Sequence, residues 1–193
     1  MDLGQRGGAS IVSRRPEAAK RYAVVDDDNW QRITEAANAA YVRNDLHRAH
    51  ELYREALDEA EWLFARAWAS GTSGMSVPVP VIYNISCHNL AEIAERSDSL
   101  ADAECFLVRA YDKLLASAAS AETPLALRLD CTRHLKHALA MLVQHLKRRR
   151  VSNAQIESYV DRAKTTALTV FHVAKKAQIA DHYCSSHSTS RPS

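Results

Sequence analysis

The sequence predicts an all-α fold, and three observations carry that reading. Glycine is scarce: five of 193 residues, at Gly4, Gly7, Gly8, Gly71 and Gly74, so residues 75–193 contain none. β-rich domains need glycine at positive-φ turns, and phosphate-binding loops need it beside the phosphate, so both classes are close to excluded. Apolar residues recur at three-four spacing over long runs. Short breaks rich in Asp, Asn and Ser separate those runs, as helix N-caps do. Apolar residues make up 47% of the chain and charged residues 25%, which suits one globular domain. No stretch approaches the 18 or so uninterrupted apolar residues of a membrane span.

The elements follow in order. Residues 1–25 hold two acids and five bases but no apolar run, so they predict a disordered tail rather than a signal peptide. Asp26-Asp27-Asp28 precedes the first helix, with Asp28 and Gln31 at capping-box spacing and Ile33, Ala36, Ala37, Ala40 and Tyr41 on one face. Asn44-Asp45 ends that run. A long second helix carries Leu46, Ala49, Leu52, Tyr53, Ala56, Leu57, Ala60, Leu63, Phe64 and Ala67, and reaches Ser70-Gly71. Trp62 and Trp68 lie on it, either as core against the 71–80 loop or as an exposed anchor for a partner.

The third helix runs from about Val81 to Arg96. Ser99 and Asp102 cap a fourth, striped by Leu100, Ala103, Phe106, Leu107, Ala110, Leu114 and Leu115. Thr123-Pro124 opens a fifth, with Leu125, Leu129, Thr132, Leu135, Leu139, Leu142 and Leu146 on one face. Ser152 and Gln155 cap a sixth, striped by Ile156, Val160, Ala163, Ala167, Val170, Phe171 and Ala174. Short connections make these three antiparallel hairpins, at 28–70, 80–120 and 123–179, in a domain over 26–180. The Ser- and His-rich residues 181–193 predict a second disordered tail.

An internal repeat links the first two hairpins. Ile33, Ala36, Ala37, Leu46, Ala49, Tyr53, Ala56 and Leu57 align with Cys87, Leu90, Ala91, Leu100, Ala103, Leu107, Ala110 and Tyr111, each pair 54 residues apart. Small residues at Ala37, Ala49, Ala91 and Ala103 let facing helices approach closely. This pattern resembles the tetratricopeptide repeat over residues 30–61 and 84–115. It departs from that family in its period, which is nearer 34 residues, and the excess falls in the long second helix and the loop after it. The third hairpin lacks evident close-packing alanines and reads as a capping unit.

The resemblance implies three hairpins stacked as a short right-handed solenoid. It also implies a protein-interaction module, acting as adaptor, chaperone or regulator on a protein or peptide held in a concave groove. The groove positions it implies are Gln31, Thr34, Asn38, Tyr41 and Val42, then Ile85, His88, Asn89, Glu92 and Arg96. Asn38 and Asn89 fall where an amide can both donate to and accept from an extended peptide. Arg128, Arg133 and His137 of the fifth helix join the groove or an outer face.

Rival chemistries have thinner support. Cys131 and His134 share a helix face, Cys87-His88 lies on a helix that could pack nearby, and the tail adds His182, Cys184 and His187. Thiolate and imidazole suit Zn or Cu, but no strong ligand spacing occurs. The four cysteines form no CxxC pair and read as reduced thiols of a cytoplasmic protein. Charge is uneven: residues 1–122 carry a net −6 and residues 123–193 a net +8, half of the excess in Lys147-Arg148-Arg149-Arg150. No aromatic residues interleave that run, so an acidic protein or a homodimer is a better-matched partner than nucleic acid. No nucleophile elbow or Ser/His/Asp order is visible, so neither enzymatic activity nor a cofactor is expected.

Overall fold

The computed structural model describes residues 26–70 and 75–187. Its six helices are α1 (Asp28–Val42), α2 (Leu46–Ser70), α3 (Val79–Arg96), α4 (Leu100–Ala119), α5 (Leu125–Arg148) and α6 (Asn153–His187). No strand occurs among the described residues. None of these helices is long and apolar enough to cross a membrane. Each helix packs on the next in sequence, and α3 also meets α5 while α4 meets α6. The N-terminal tail and Gly71–Gly74 fall outside the described residues. α6 continues to His187, past the expected boundary at residue 180.

All but one of the alanines aligned in the repeat are buried; Ala36 is exposed. Ala37, Ala49, Ala56, Ala91, Ala103 and Ala110 are all buried, with Tyr53 and Leu107 filling the space beside them. A small side chain at a crossing brings two backbones together, and the neighbouring large ones then fill the gap to interior density. The third helix pair has its own buried alanines: Ala163, which the α6 stripe included, and Ala138, which no stripe included.

Three turns reverse the chain in the same way. Asn44, Asp98 and Arg150 each adopt φ near +60°. In each, the next residue's N–H donates to a carbonyl five residues back: Asp45 to Ala40, Ser99 to Ala94 and Val151 to Leu146. This is the Schellman ending, which satisfies carbonyls that the last helical turn leaves free. Caps follow the sequence less closely. Asp45 and Ser152 accept from backbone N–H groups as expected. Asp27 rather than Asp28 is the N-cap of α1. Ser99 donates to the Asp102 carboxylate instead of closing a capping box. Pro124 takes the N-cap place expected of Thr123.

Several stripe assignments change. Trp62 and Trp68 are 51% and 40% exposed, so the core reading of both is wrong; an Arg66 guanidinium lies over the Trp62 ring. Leu100 and Phe171 also stand largely in solvent. Arg128, expected at a groove or outer face, is buried and donates from Nε to the Ala118 carbonyl at 2.9 Å. A cation there satisfies a free carbonyl and offsets the negative end of α4.

Candidate functional site

The expected groove residues divide into two groups. Tyr41, Glu92 and Arg96 come together across the α1–α3 seam, with Asn44 from the turn. The Tyr41 hydroxyl donates to Glu92. The Arg96 guanidinium lies 4.6 Å from the Tyr41 ring centre and donates to Asn44 Oδ1 at 3.1 Å. Burial raises the Tyr41 pKa; the Glu92 hydrogen bond adds to the rise and Arg96 opposes it. Asn38 is exposed and its Oδ1 accepts from the Tyr53 hydroxyl at 2.6 Å. Burial, then the nearby Glu92 and Tyr41, push Tyr53 up to about 12, so it stays a neutral donor. Asn38, Tyr53, Tyr41, Glu92, Arg96 and Asn44 thus form one polar strip. Tyr53 and Asn44 were read in the sequence only as packing and turn residues.

The remaining expected residues lie elsewhere. Thr34 is turned inward and buried, and its hydroxyl has no hydrogen-bond partner, so it lines no accessible groove. His88 is half-buried beside His137 of α5; its Nε2 has no partner, and burial, then His137, push it down to about 4. Asn89 is half-buried on α3, one residue on. Gln31 donates to Asp27 and Ser76, and Val42 is bare. Arg133 pairs with Asp130 one turn before it. Asn84 Oδ1, on the same helix as His88, is a second buried polar atom without a partner.

Cys87, His88, Cys131 and His134 do not share a site. Cys87 sits among Tyr83, Arg109 and Glu61, whereas the adjacent His88 faces His137. Cys131 neighbours Asp130 and Lys113. Burial pushes both thiols up to about 12, which disfavours the thiolate a metal would need. No group of three or more His, Cys, Asp or Glu is placed to hold a metal among the described residues. The side chains of His182, Cys184 and His187 lie outside the described set.

A second polar cluster joins α3, α4 and α5. His145 is buried, with Nδ1 2.9 Å from Glu95 Oε1 and Nε2 3.9 Å from Glu104. Arg148 forks onto both Glu95 oxygens at 2.7 and 3.2 Å, and Arg149 pairs with Glu104. Burial alone would raise the Glu95 pKa, but the His145 and Arg148 hydrogen bonds hold it below the usual glutamate range. Cavities lie away from the strip. One of about 460 Å³ is lined by Leu46, His50, Arg54, Ile93, Cys105 and Phe106. Another of about 790 Å³ lies between α4 and α6. None of the expected partner-binding residues lines either cavity.

No curated protein and no solved structure matches the chain. The family described as "Protein of unknown function (DUF2753)" matches residues 28–178, from the first residue of α1 to well into α6. That match spans well over half of the sequence, and the chain belongs to the DUF2753 family.

Proposed function

We propose that this chain is a protein-interaction module that holds an extended segment of a partner protein along the face of α1 and α3. The observation that carries the reading is the polar strip across the α1–α3 seam, where amide, phenol, carboxylate and guanidinium groups are fixed by one another on rigid helices. Asn38 keeps its amide N–H group free to donate while Tyr53 holds its oxygen, and Asn89, outside the bonded strip but on the α3 face of Glu92 and Arg96, offers a second amide. Such groups suit the alternating donors and acceptors of a peptide backbone. Mutual bonding holds the side chains in place before the partner arrives, which lowers the entropic cost of binding.

The packing supports a tetratricopeptide-like stack behind this face. Trp30 donates to Ser86, Tyr41 to Glu92 and Arg96 to Asn44, at separations of 56, 51 and 52 residues. Glu95 meets His145 and Arg148 at separations of 50 and 53, and Tyr111 donates to Tyr159 at 48. Near-constant offsets between alternate helices are what a hairpin repeated side by side produces. Adaptor, chaperone and regulator remain equivalent at this level, since each needs only the held segment.

The test is affinity capture from the native cell with wild type and an Asn38→Ala/Asn89→Ala/Arg96→Glu variant, with circular dichroism to check folding. Loss of two amide contacts and reversal of one charge should weaken capture by about a hundredfold, or about 3 kcal/mol. An identical set of captured proteins with the folded variant would overturn the reading.

A further inference from the structure

Over its described side chains α6 packs one face on α4 and α5 and leaves a flank bare, with Asp161 at the edge of the cavity between α4 and α6. Ile156, Ala163 and Val170, seven residues apart, are buried and mark the inner face. The outer face has the three-four spacing of a helix seam, in Asp161, Lys164, Leu168, Phe171, Lys175 and Ile179. Leu168 is 69% exposed and Phe171 55%, with Ile179 also open to solvent on that face. Single exposed apolar residues are ordinary, but several on one helix mark a contact surface.

The charges on this face say what fits it. Before Leu168 the carboxylates of Glu157 and Asp161 outnumber the one cation of this face, Lys164; after it lies Lys175. A face with an apolar centre, an acidic end and a basic end is complementary to itself when turned through a half circle. We propose that it binds α6 of a second copy, antiparallel about a two-fold axis near Leu168. In that register Leu168 meets Leu168 of the second copy. Phe171 falls opposite Thr165 and beside Lys164, and Asp161 meets Lys175, each twice by symmetry. A parallel arrangement would instead oppose Asp161 to Asp161 and Lys175 to Lys175. Asp161 already lies 3.7 Å from Lys164 on its own helix, but both are largely exposed and re-pair at little cost. The surface is separate from the α1–α3 strip, so it stands without the proposal made for that strip.

The test is sedimentation equilibrium of the full chain over a range of micromolar concentrations. Wild type should dimerise, and Leu168→Asp/Phe171→Asp should be monomeric with unchanged helical content. Asp161→Lys should weaken the dimer about tenfold, and adding Lys175→Asp should restore it. In a Cys105→Ser/Cys184→Ser background, Leu168→Cys should form a disulfide-linked dimer under mild oxidation. A wild type that stays monomeric, or a dimer indifferent to residues 168 and 171, would sink the proposal. A dimer in which Lys175→Asp fails to rescue Asp161→Lys would sink its antiparallel register, and this arm decides even where the double aspartate variant loses its fold.

Discussion

Asp27 shows what a single buried carboxylate does in this fold. It accepts from the backbone N–H groups of Ser76 and Val77, the Ser76 hydroxyl and the Gln31 amide, at 2.8–3.0 Å. It therefore ties the segment entering α3 to the start of α1. Burial would raise its pKa, but the Ser76 and Gln31 hydrogen bonds outweigh that and hold it below the usual 3.8. A folded-state pKa below the unfolded value stabilises above the unfolded value, and the gain is lost as pH falls through the folded one. Asp27→Asn should destabilise the protein by about 2 kcal/mol at neutral pH. The gap between variant and wild type should hold down to pH ~4 and close below it, as read from urea unfolding across pH. Three consecutive aspartates made a helix start legible in the sequence. They could not say which one takes the N-cap position, nor that its carboxylate would bind Ser76, 49 residues away, rather than the helix end. Arg128 fails for the same reason: its sequence neighbours do not reveal the Ala118 carbonyl.

At the scale of elements, the turns repeat more faithfully than the side chains that mark them. Asn44 and Asp98 belong to the residue types that tolerate left-handed backbone, so those two turns were legible from their own residues, and the third only from the Ser152 cap that follows it. Arg150 has no such tolerance and sits in the same conformation, with φ of 57°. Its side chain is exposed. Arg150→Gly should raise the unfolding free energy by about 1 kcal/mol, measured as a higher urea midpoint at constant slope. An unchanged or lowered midpoint would argue against strain at that turn. The third hairpin was legible as a hairpin at 123–179 but not as a repeat of the first two. Its close approach uses Ala138 and Ala163, which fall out of step with the 54-residue alignment of the first two. α6 was half legible: the stripe through Ile156, Ala163 and Val170 is the inner one, while the seam at Leu168 and Phe171 cannot be told from core by spacing alone.

At the scale of the whole molecule, the six helices, their order and most of the core were legible because periodicity reports burial directly. The strip was legible in part. Tyr41, Glu92 and Arg96 were placed on facing positions, but their bonding to one another and to Asn44 depends on distances no spacing encodes. Thr34 was misplaced because a hydroxyl at a helix face gives no sign of turning inward. The core also makes a global prediction. Cys87 and Cys131 are buried, while Cys105 is exposed. With iodoacetamide and peptide mapping, Cys105 should be alkylated at once. Cys87 and Cys131 should react only as fast as the whole fold opens, so their rates should rise together with denaturant. Rapid labelling of Cys87 in the native protein would mean that α3 opens independently of its neighbours.

The contacts of Arg148 and Arg149 change the meaning of the most basic stretch in the chain. Read linearly, Lys147–Arg150 is a tract that should seek polyanions. Folded, two of its four cations close a clasp onto carboxylates borne by α3 and α4 around the sealed imidazole of His145. A phosphate chain would have to share those two half-exposed cations with the carboxylates that already hold them, so the tract's attraction for it is weaker than its composition suggests.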